Sequence, residues 1–314
     1  MRETSFSLPS FAKINIGLKV IGRRDDGFHE LFTVFQTVSL HDTLNFTASD
    51  DLQLTCDNAS IPTDNRNLVI RAADKLREYA LRRPSGKLSK PVQNEGGKLS
   101  ASIHLEKRIP SPGGLGGGSS NAAVALIGLA RLWDIHISHD ELVNIGSGLG
   151  SDVPFFLTGG TAVGTGRGTE IENISDFHAE NILIITPDVA VSTAEAFNAL
   201  KAPNLTTDEA NRILGVCRSE AGSVDSYLNT ARNDFENTVF AAHPEIGKVK
   251  QKLLEFGASK ALLSGSGASV FGIFDTKETR QTAEKALDNE VNWRRFAVAT
   301  ISRKVYREAL EIAF

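Results

Sequence analysis

The sequence predicts an α+β protein, and three observations carry that expectation. Short runs of β-branched and apolar residues alternate with segments of helical apolar spacing, and no repeat of fixed period is present. Asp, Ser and Gly turns between neighbouring strands give the order an antiparallel flavour. A glycine-rich run, Ile109 to Asn121, joins a strand directly to an apolar helix. At 314 residues, 41% hydrophobic and 23% charged, the chain is long enough for one large or two ordinary domains.

Residues 5 to 21 read as a strand with Pro9 near a bulge or edge, and Lys13, Asn15 and Gly17 share one of its faces. Two solvated polar residues on a strand would look the same. The turn-rich segment Gly22 to His29 ends in an aromatic residue beside a histidine, which suits a plain hairpin tip or a ligand loop. Leu31 to Val38, Thr43 to Thr47 and Leu52 to Cys56 follow as short strands separated by Asp and Ser turns. Asn67 to Leu81 is helical, with Asn65 or Asn67 as cap, and Arg82 to Lys98 has the composition of a surface loop. Ser100 to Glu106 is a strand, and the glycine-rich loop with a helix to Trp133 comes next. Ser138 to Glu141 is a capping box opening a helix to about Ile145, and Asp152 stands between three glycines and an apolar strand. Thr158 to Glu172 reads as paired strands.

A second unit starts near Asn181. Asn181 to Pro187 is a strand, Thr193 to Leu200 a helix, and Thr206 to Cys217 a helix capped by Thr207 or Asp208. Pro244 opens a helix to Phe256. The strands Lys260 to Leu263 and Ser269 to Phe274 flank a second glycine loop, Ser264 to Ala268. A helix over 276–287, a strand over 295–301 and a closing helix from about Lys304 complete the chain.

A net charge of −4 argues against a general nucleic-acid or membrane-surface role, so the expected ligand is small. Only Cys56 and Cys217 are present, too few for a disulfide framework or a zinc site, which suits a reducing cytoplasm. Met1 to Pro9 lacks an apolar leader core, and no run has the length of a membrane span.

The run from Gly113 to Gly118 offers exposed amides at a helix start, with Ser119, Ser120 and Asn121 as candidate cap side chains, so an anion such as phosphate belongs there. A Walker loop is excluded because no lysine precedes the serines, and the Rossmann spacing puts a serine where its third glycine should be. A flexible linker is the remaining alternative, disfavoured by Leu115 and the fused apolar helix. Phosphoryl transfer to an alcohol needs a proton acceptor: Asp152 is one candidate, and Lys13 is a cation that could steady it or the hydroxyl. That pairing is chemical, since no spacing brings residue 13 to residue 152. The histidines show no HxxxH or HExxH spacing, and there is no GxSxG elbow.

Three blocks, Pro9 to Asn15, Pro110 to Ala123 and Leu263 to Val270, resemble the three motifs of the GHMP small-molecule kinases. Ala12-Lys13-Ile14-Asn15, Gly27-Phe28-His29, Leu115 to Ala123, and Gly150 to Phe156 with Gly159-Gly160-Thr161-Ala162 and Gly166-Arg167-Gly168 are most similar to the members that act on a diphosphocytidyl-methylerythritol in the non-mevalonate isoprenoid pathway. The likeness runs in order over roughly residues 8 to 275.

The resemblance implies the two-domain GHMP kinase fold: a ribosomal-protein-S5-like half over 1–177, a ferredoxin-like half over 178–314, and the active cleft between them. It implies ATP-dependent phosphorylation of the tertiary 2-hydroxyl of that cytidine-diphosphate substrate, with Mg2+ whose ligands are not assigned. Asp152 would be the base, and Lys13 would orient the hydroxyl. Gly113, Gly114, Leu115, Gly116, Gly117, Gly118, Ser119 and Ser120 would hold ATP phosphates, with Asn67, Lys107 and Pro110 also binding ATP. Asn15 would bind the erythritol part and His29 the cytosine edge, with Phe28 and Phe197 sandwiching the ring and Thr193 alongside. Gly265, Ser266 and Gly267 would line the far side. A monomer or weak homodimer is expected, with no nucleic-acid or membrane partner. Two departures stand out: Phe28 replaces the usual tyrosine, and Pro112 removes one amide donor from the loop. The rival readings are a GHMP kinase for mevalonate, homoserine or a sugar, which has no use for Phe28, His29 and Phe197 together, and a non-catalytic nucleotide-binding regulator.

Overall fold

The computed structural model describes residues 4–82 and 99–312. The stretch read as a surface loop, apart from Arg82, lies outside them. The chain opens on a long antiparallel pair, β1 (Ser5–Arg23) and β2 (His29–Ala48). Bulges fall between Phe11 and Ala12, Asn15 and Gly17, and Val20 and Gly22. A bulge bends a strand and re-aims its side chains, and Lys13 and Asn15 lie between two of these.

β2 runs unbroken through residues 39–42, where the sequence suggests a turn. The reason is that Asp42 is not solvated; it is fully buried and accepts hydrogen bonds from the chain just after β4 (Ala101–Glu106). The outer edge of β2 is divided, with Thr43–Ala48 pairing β4 and Thr33–Gln36 pairing β5 (Thr161–Thr165). With β3 (Gln53–Cys56) and β6 (Glu170–Asn173) the order is β3-β4-β2-β5-β6, β1 lying on β2.

Helix α1 (Leu68–Arg82) is capped by Asn67, whose Oδ1 accepts from Val69 N at 2.9 Å. α2 (Gly117–Leu132) is buried along nearly all of its length, as the small and apolar run Ala122–Ala130 dictates. It begins earlier than expected. Its N-cap is Gly116 at φ 72° with no side-chain cap, so Ser119, Ser120 and Asn121 are not caps. Ser120 and Asn121 instead join a buried polar cluster with Ser10. The capping box of Ser138 and Glu141 opens α3 (His139–Ser147) as expected. The apolar run after Asp152 is a one-turn helix, α4 (Val153–Phe156), rather than a strand. Pro154 in its first turn has no N–H to give to a ladder, and all four residues are buried.

In the second half, β7 (Ile182–Pro187), β9 (Val270–Ile273), β8 (Lys260–Leu263) and β10 (Trp293–Val298) form an antiparallel sheet in the order β10-β7-β9-β8. α5 (Thr193–Ala199), α9 (Pro244–Glu255) and α10 (Lys277–Ala286) match the expected helices. α6 (Thr207–Glu220) is capped by Thr206 rather than Thr207 or Asp208, because Glu209 completes a capping box with Thr206. α7 (Val224–Thr230) and α8 (Glu236–Ala242) are further helices, too short to show a period. The closing helix α11 (Arg303–Ala309) returns to the first half, where Tyr306 is buried and its hydroxyl donates to Phe156 O. No helix among the described residues is long and apolar enough to cross a membrane.

Candidate active site

Lys13 is 3% exposed, at a point on β1 where a charged side chain needs several partners. Its Nζ donates to Asn15 Oδ1 at 2.7 Å and to Gly114 O at 2.9 Å, and it lies 3.4 Å from Asp152 Oδ2 and 5.7 Å above the Phe35 ring. Asn15 is held in turn, its Nδ2 donating to Thr33 Oγ1 at 2.8 Å, and Thr33 donates to Gly17 O. Asp152 occupies the N-cap position of α4 without making a side-chain cap bond, so its carboxylate faces Lys13. The fold thus brings together the two residues that no spacing joined.

The glycine-rich loop passes directly above this pair. Its carbonyls turn inward: Gly113 O accepts from Ser269 N, Gly114 O from Lys13 Nζ and Ser264 Oγ, and Leu115 O from Lys13 N. The amides of residues 113–119 have no acceptor among the described residues. An array of unpaired N–H groups at the start of a 16-residue helix is an anion site by both hydrogen bonding and dipole. Two glycines are obligatory. Gly114 has φ 71° and a Cβ there would lie 2.1 Å from Ser264 O; Gly116 has φ 72° and a Cβ would lie 2.8 Å from the Phe156 ring.

Lys107 lies below the loop, its side chain 4% exposed, with Nζ bonded to Asp42 Oδ2 and Ile109 O. Burial lowers its pKa, and the charge and hydrogen bond of Asp42 oppose that shift. Asn67 is engaged as the α1 cap and donates to Pro62 O.

A cavity of 220 Å³ opens beside Lys13 and Asp152 and runs between the halves, reaching Thr193, Phe197, Gly265 and Ser266. Thr193 and Ser266 join across it through their hydroxyls at 2.8 Å. Asn233 Nδ2 donates to Leu263 O and Gly265 O, fixing the second glycine loop. Asp152 is the one carboxylate among the lining residues. A larger cavity of 670 Å³ lies behind the 22–30 turn against α6, lined by Arg23, Arg24 and Arg218 beside Asp25, Asp26 and Glu30, away from this pair.

At the outer end the aromatic rings have partners within the protein. His29 stacks on Phe197 at 4.9 Å and 22°, and Phe28, 48% exposed, is covered by the Arg167 guanidinium at 3.6 Å. The hairpin turn and the 166–168 turn are tied together, with Leu31 N donating to Gly166 O and Gly166 N to Glu30 Oε1, which places Arg167 over Phe28. Burial and then the charge of Arg23 lower the His29 pKa below its ordinary 6.5, so the ring is neutral at pH 7.

Sequence reasoning assigned no role to Arg167, Thr33 or Asp42. The glycines on either side of Arg167 were a signal; a Thr in a strand and an Asp read as a turn were not.

Two family descriptions match this chain: the GHMP kinases N terminal domain over residues 67–160 and the GHMP kinases C terminal over residues 215–292. The 4-diphosphocytidyl-2-C-methyl-D-erythritol kinase of Solibacter usitatus (strain Ellin6076) is 38% identical over 305 residues, covering 96% of this chain and 90% of that protein. The kinase of the same name from Bacillus cereus (strain B4264) is 38% identical over 264 residues, covering 83% and 86%. A crystal structure of a 4-(cytidine 5'-diphospho)-2C-methyl-D-erythritol kinase superposes with a TM-score of 0.71 at 29% identity, over 94% of this chain and 99% of that one. An amide-lined loop above a paired lysine and aspartate, set in a cleft between two such halves, agrees with these likenesses, and the chain belongs to the GHMP kinases, in the family of the 4-diphosphocytidyl-2-C-methyl-D-erythritol kinases.

Proposed function

We propose that this ATP-dependent kinase phosphorylates the tertiary 2-hydroxyl of 4-diphosphocytidyl-2-C-methyl-D-erythritol, giving the 2-phosphate and ADP, a step in isoprenoid precursor synthesis. The observation that carries the reading is the Lys13–Asp152 contact of 3.4 Å directly beneath the open amides of the 113–119 loop. A bound triphosphate accepts those amides, with its terminal phosphoryl group toward the cavity. Asp152 takes the proton of the 2-hydroxyl as its oxygen bonds to phosphorus and the bond to ADP breaks. Lys13, fixed by Asn15, Gly114 O and Asp152, holds the hydroxyl and offsets charge on the transferring oxygens.

Mg2+ fits this arrangement as the counter-ion of ATP. Among the described residues no cluster of three or more His, Cys, Asp or Glu is placed to hold a metal alone, which suits an ion bound largely through phosphates and water. Ser119 Oγ lies 3.4 Å from where a Cβ on Gly150 would stand, at the start of the helix that faces the phosphates, so its hydroxyl would help hold the ion. When bound, it supplies neutralisation of the phosphate charge.

Asn15 holds the erythritol part and Thr193 lies alongside the cytosine ring, bonded to Ser266; Gly265 and Ser266 line the far wall, and Gly267 follows them in the same turn. His29, Phe28 and Phe197 read the cytosine, and Asn67 and Lys107 serve the nucleotide of ATP. The halves divide near residue 177, and the enzyme acts in the cytoplasm as a monomer or weak homodimer.

The test is ATP consumption with diphosphocytidyl-methylerythritol set against mevalonate, homoserine and galactose. Turnover is expected with the cytidine substrate alone. Comparable kcat/KM with any of the others would replace this reading.

A further inference from the structure

Asp42 touches neither the cavity nor the Lys13–Asp152 pair, yet it is fully buried in the middle of β2. Each of its oxygens takes two donors. Oδ1 accepts from Arg108 N at 2.7 Å and Ile109 N at 2.8 Å; Oδ2 accepts from Lys107 Nζ at 2.7 Å and Asn121 Nδ2 at 2.9 Å. These donors bracket the phosphate loop, residues 107–109 leading into it and Asn121 lying in the first turns of α2 beyond it. One carboxylate therefore clamps both stems. Asn121 Nδ2 also reaches Ser10 Oγ at 2.9 Å, and Ser10 donates to Ser120 Oγ at 2.7 Å, so the clamp extends to β1 just ahead of Lys13.

The clamp also places a charge. Lys107 Nζ is held so that a Cβ on Gly117 would stand 3.0 Å from it, which puts the ammonium under the first helical residue, among amides left open for anions. Burial alone favours loss of its proton; a carboxylate at 2.7 Å favours keeping it. A buried ion pair gains little net stability over a packed apolar pair, so stability does not account for this arrangement. Position and charge do.

We propose that Asp42 is a positioning residue for ATP: acting through Lys107 and the two loop stems, it sets the spacing of the phosphate loop and keeps a cation beneath it. This rests on the reading of residues 113–119 as the ATP loop.

The test is calorimetric titration of the full chain with Mg-ATP, alongside steady-state kinetics. Asp42→Asn keeps the shape and removes the charge. Because hydrogen bonds to charged groups are each worth roughly an order of magnitude in affinity, ATP binding should weaken about 10-fold, while KM for the acceptor alcohol stays within about twofold. If Asp42 works through Lys107, the two are coupled, and adding Asp42→Asn to Lys107→Met should weaken ATP binding by no more than about twofold further. Should Asp42→Asn fail to fold by circular dichroism, Asn121→Ala removes one donor of the same clamp and should weaken ATP binding by about threefold. Unchanged ATP affinity in a folded variant overturns the proposal, as do equal losses for ATP and acceptor or full additivity with Lys107→Met. Failure of the unmutated protein to bind Mg-ATP in the same titration would instead overturn the loop assignment on which the proposal stands.

Discussion

Lys13 can hold its position in a buried strand only because Asn15, Gly114 O, Asp152 and the Phe35 ring share its charge. Asp152, at 29% side-chain exposure against 4% for Lys13, is the more accessible member and the one able to receive a proton from a ligand. Asp152→Asn should lower kcat by about 10²–10⁴-fold with ATP affinity unchanged, checked by single-turnover kinetics and calorimetry. Activity within a few fold of the unmutated enzyme would leave positioning alone as the mechanism. His29 gives a second prediction. Burial and the Arg23 charge both lower its pKa, so the neutral ring persists as pH falls through 6.5 and protonates only below that. Arg23→Gln removes the weaker of the two causes and should move the His29 titration, followed by NMR, to higher pH. The acid limb of kcat/KM for the cytidine substrate should move with it; an unmoved profile would sever His29 from substrate recognition. At this scale the sequence was informative where chemistry demanded a residue type, as with Lys13 and Asp152. It was silent where a residue acts only through partners, as with Asp42, whose polar neighbours Ser39 and His41 look like those of any turn.

Among the elements, the loop from 113 to 118 and helix α2 were the most legible, because glycines at such density have few other uses and the helix is apolar on all sides from Ala122 to Ala130. The helix start was misplaced by three residues at least, since Ser119, Ser120 and Asn121 have the chemistry of caps but cap nothing, and Ser120 and Asn121 spend their side chains elsewhere. The turn of helix after Asp152 was read as a strand because Val, Phe and Phe suit both, and only the pairing of neighbours decides. α7 and α8 escaped notice because neither seven-residue run shows a helical apolar period. Gly117→Val tests the loop directly. Its side chain would meet Ile109 Cγ2 and Lys107 Nζ, each 3.0 Å from a Cβ, and crowd the first open amides of α2. Mg-ATP binding should be lost while circular dichroism is retained; normal binding would move the nucleotide elsewhere.

Over the whole molecule, the order of strands and helices was readable, whereas the return of the chain end to the first half was not. Nothing in the composition of α11 says that Tyr306 will be buried against Gly159 and bonded to Phe156 O, because the contact spans 150 residues. Removing so large a buried side chain with Tyr306→Ala should destabilise the fold by about 3–5 kcal/mol, measured by denaturant unfolding. Since Phe156 ends the helical turn that Asp152 begins, kcat should fall with it. The second half also grips the first at the loop itself, through Ser269 N on Gly113 O and Ser264 Oγ on Gly114 O. The backbone proposed to receive ATP is thus partly held by the half that carries Thr193, Phe197 and Ser266, and the cavity proposed for the acceptor draws walls from both halves. Neither substrate can favour one setting of the halves without favouring it for the other. Their affinities should therefore be linked reciprocally, a non-hydrolysable ATP analogue tightening the acceptor by the same factor by which the acceptor tightens the analogue.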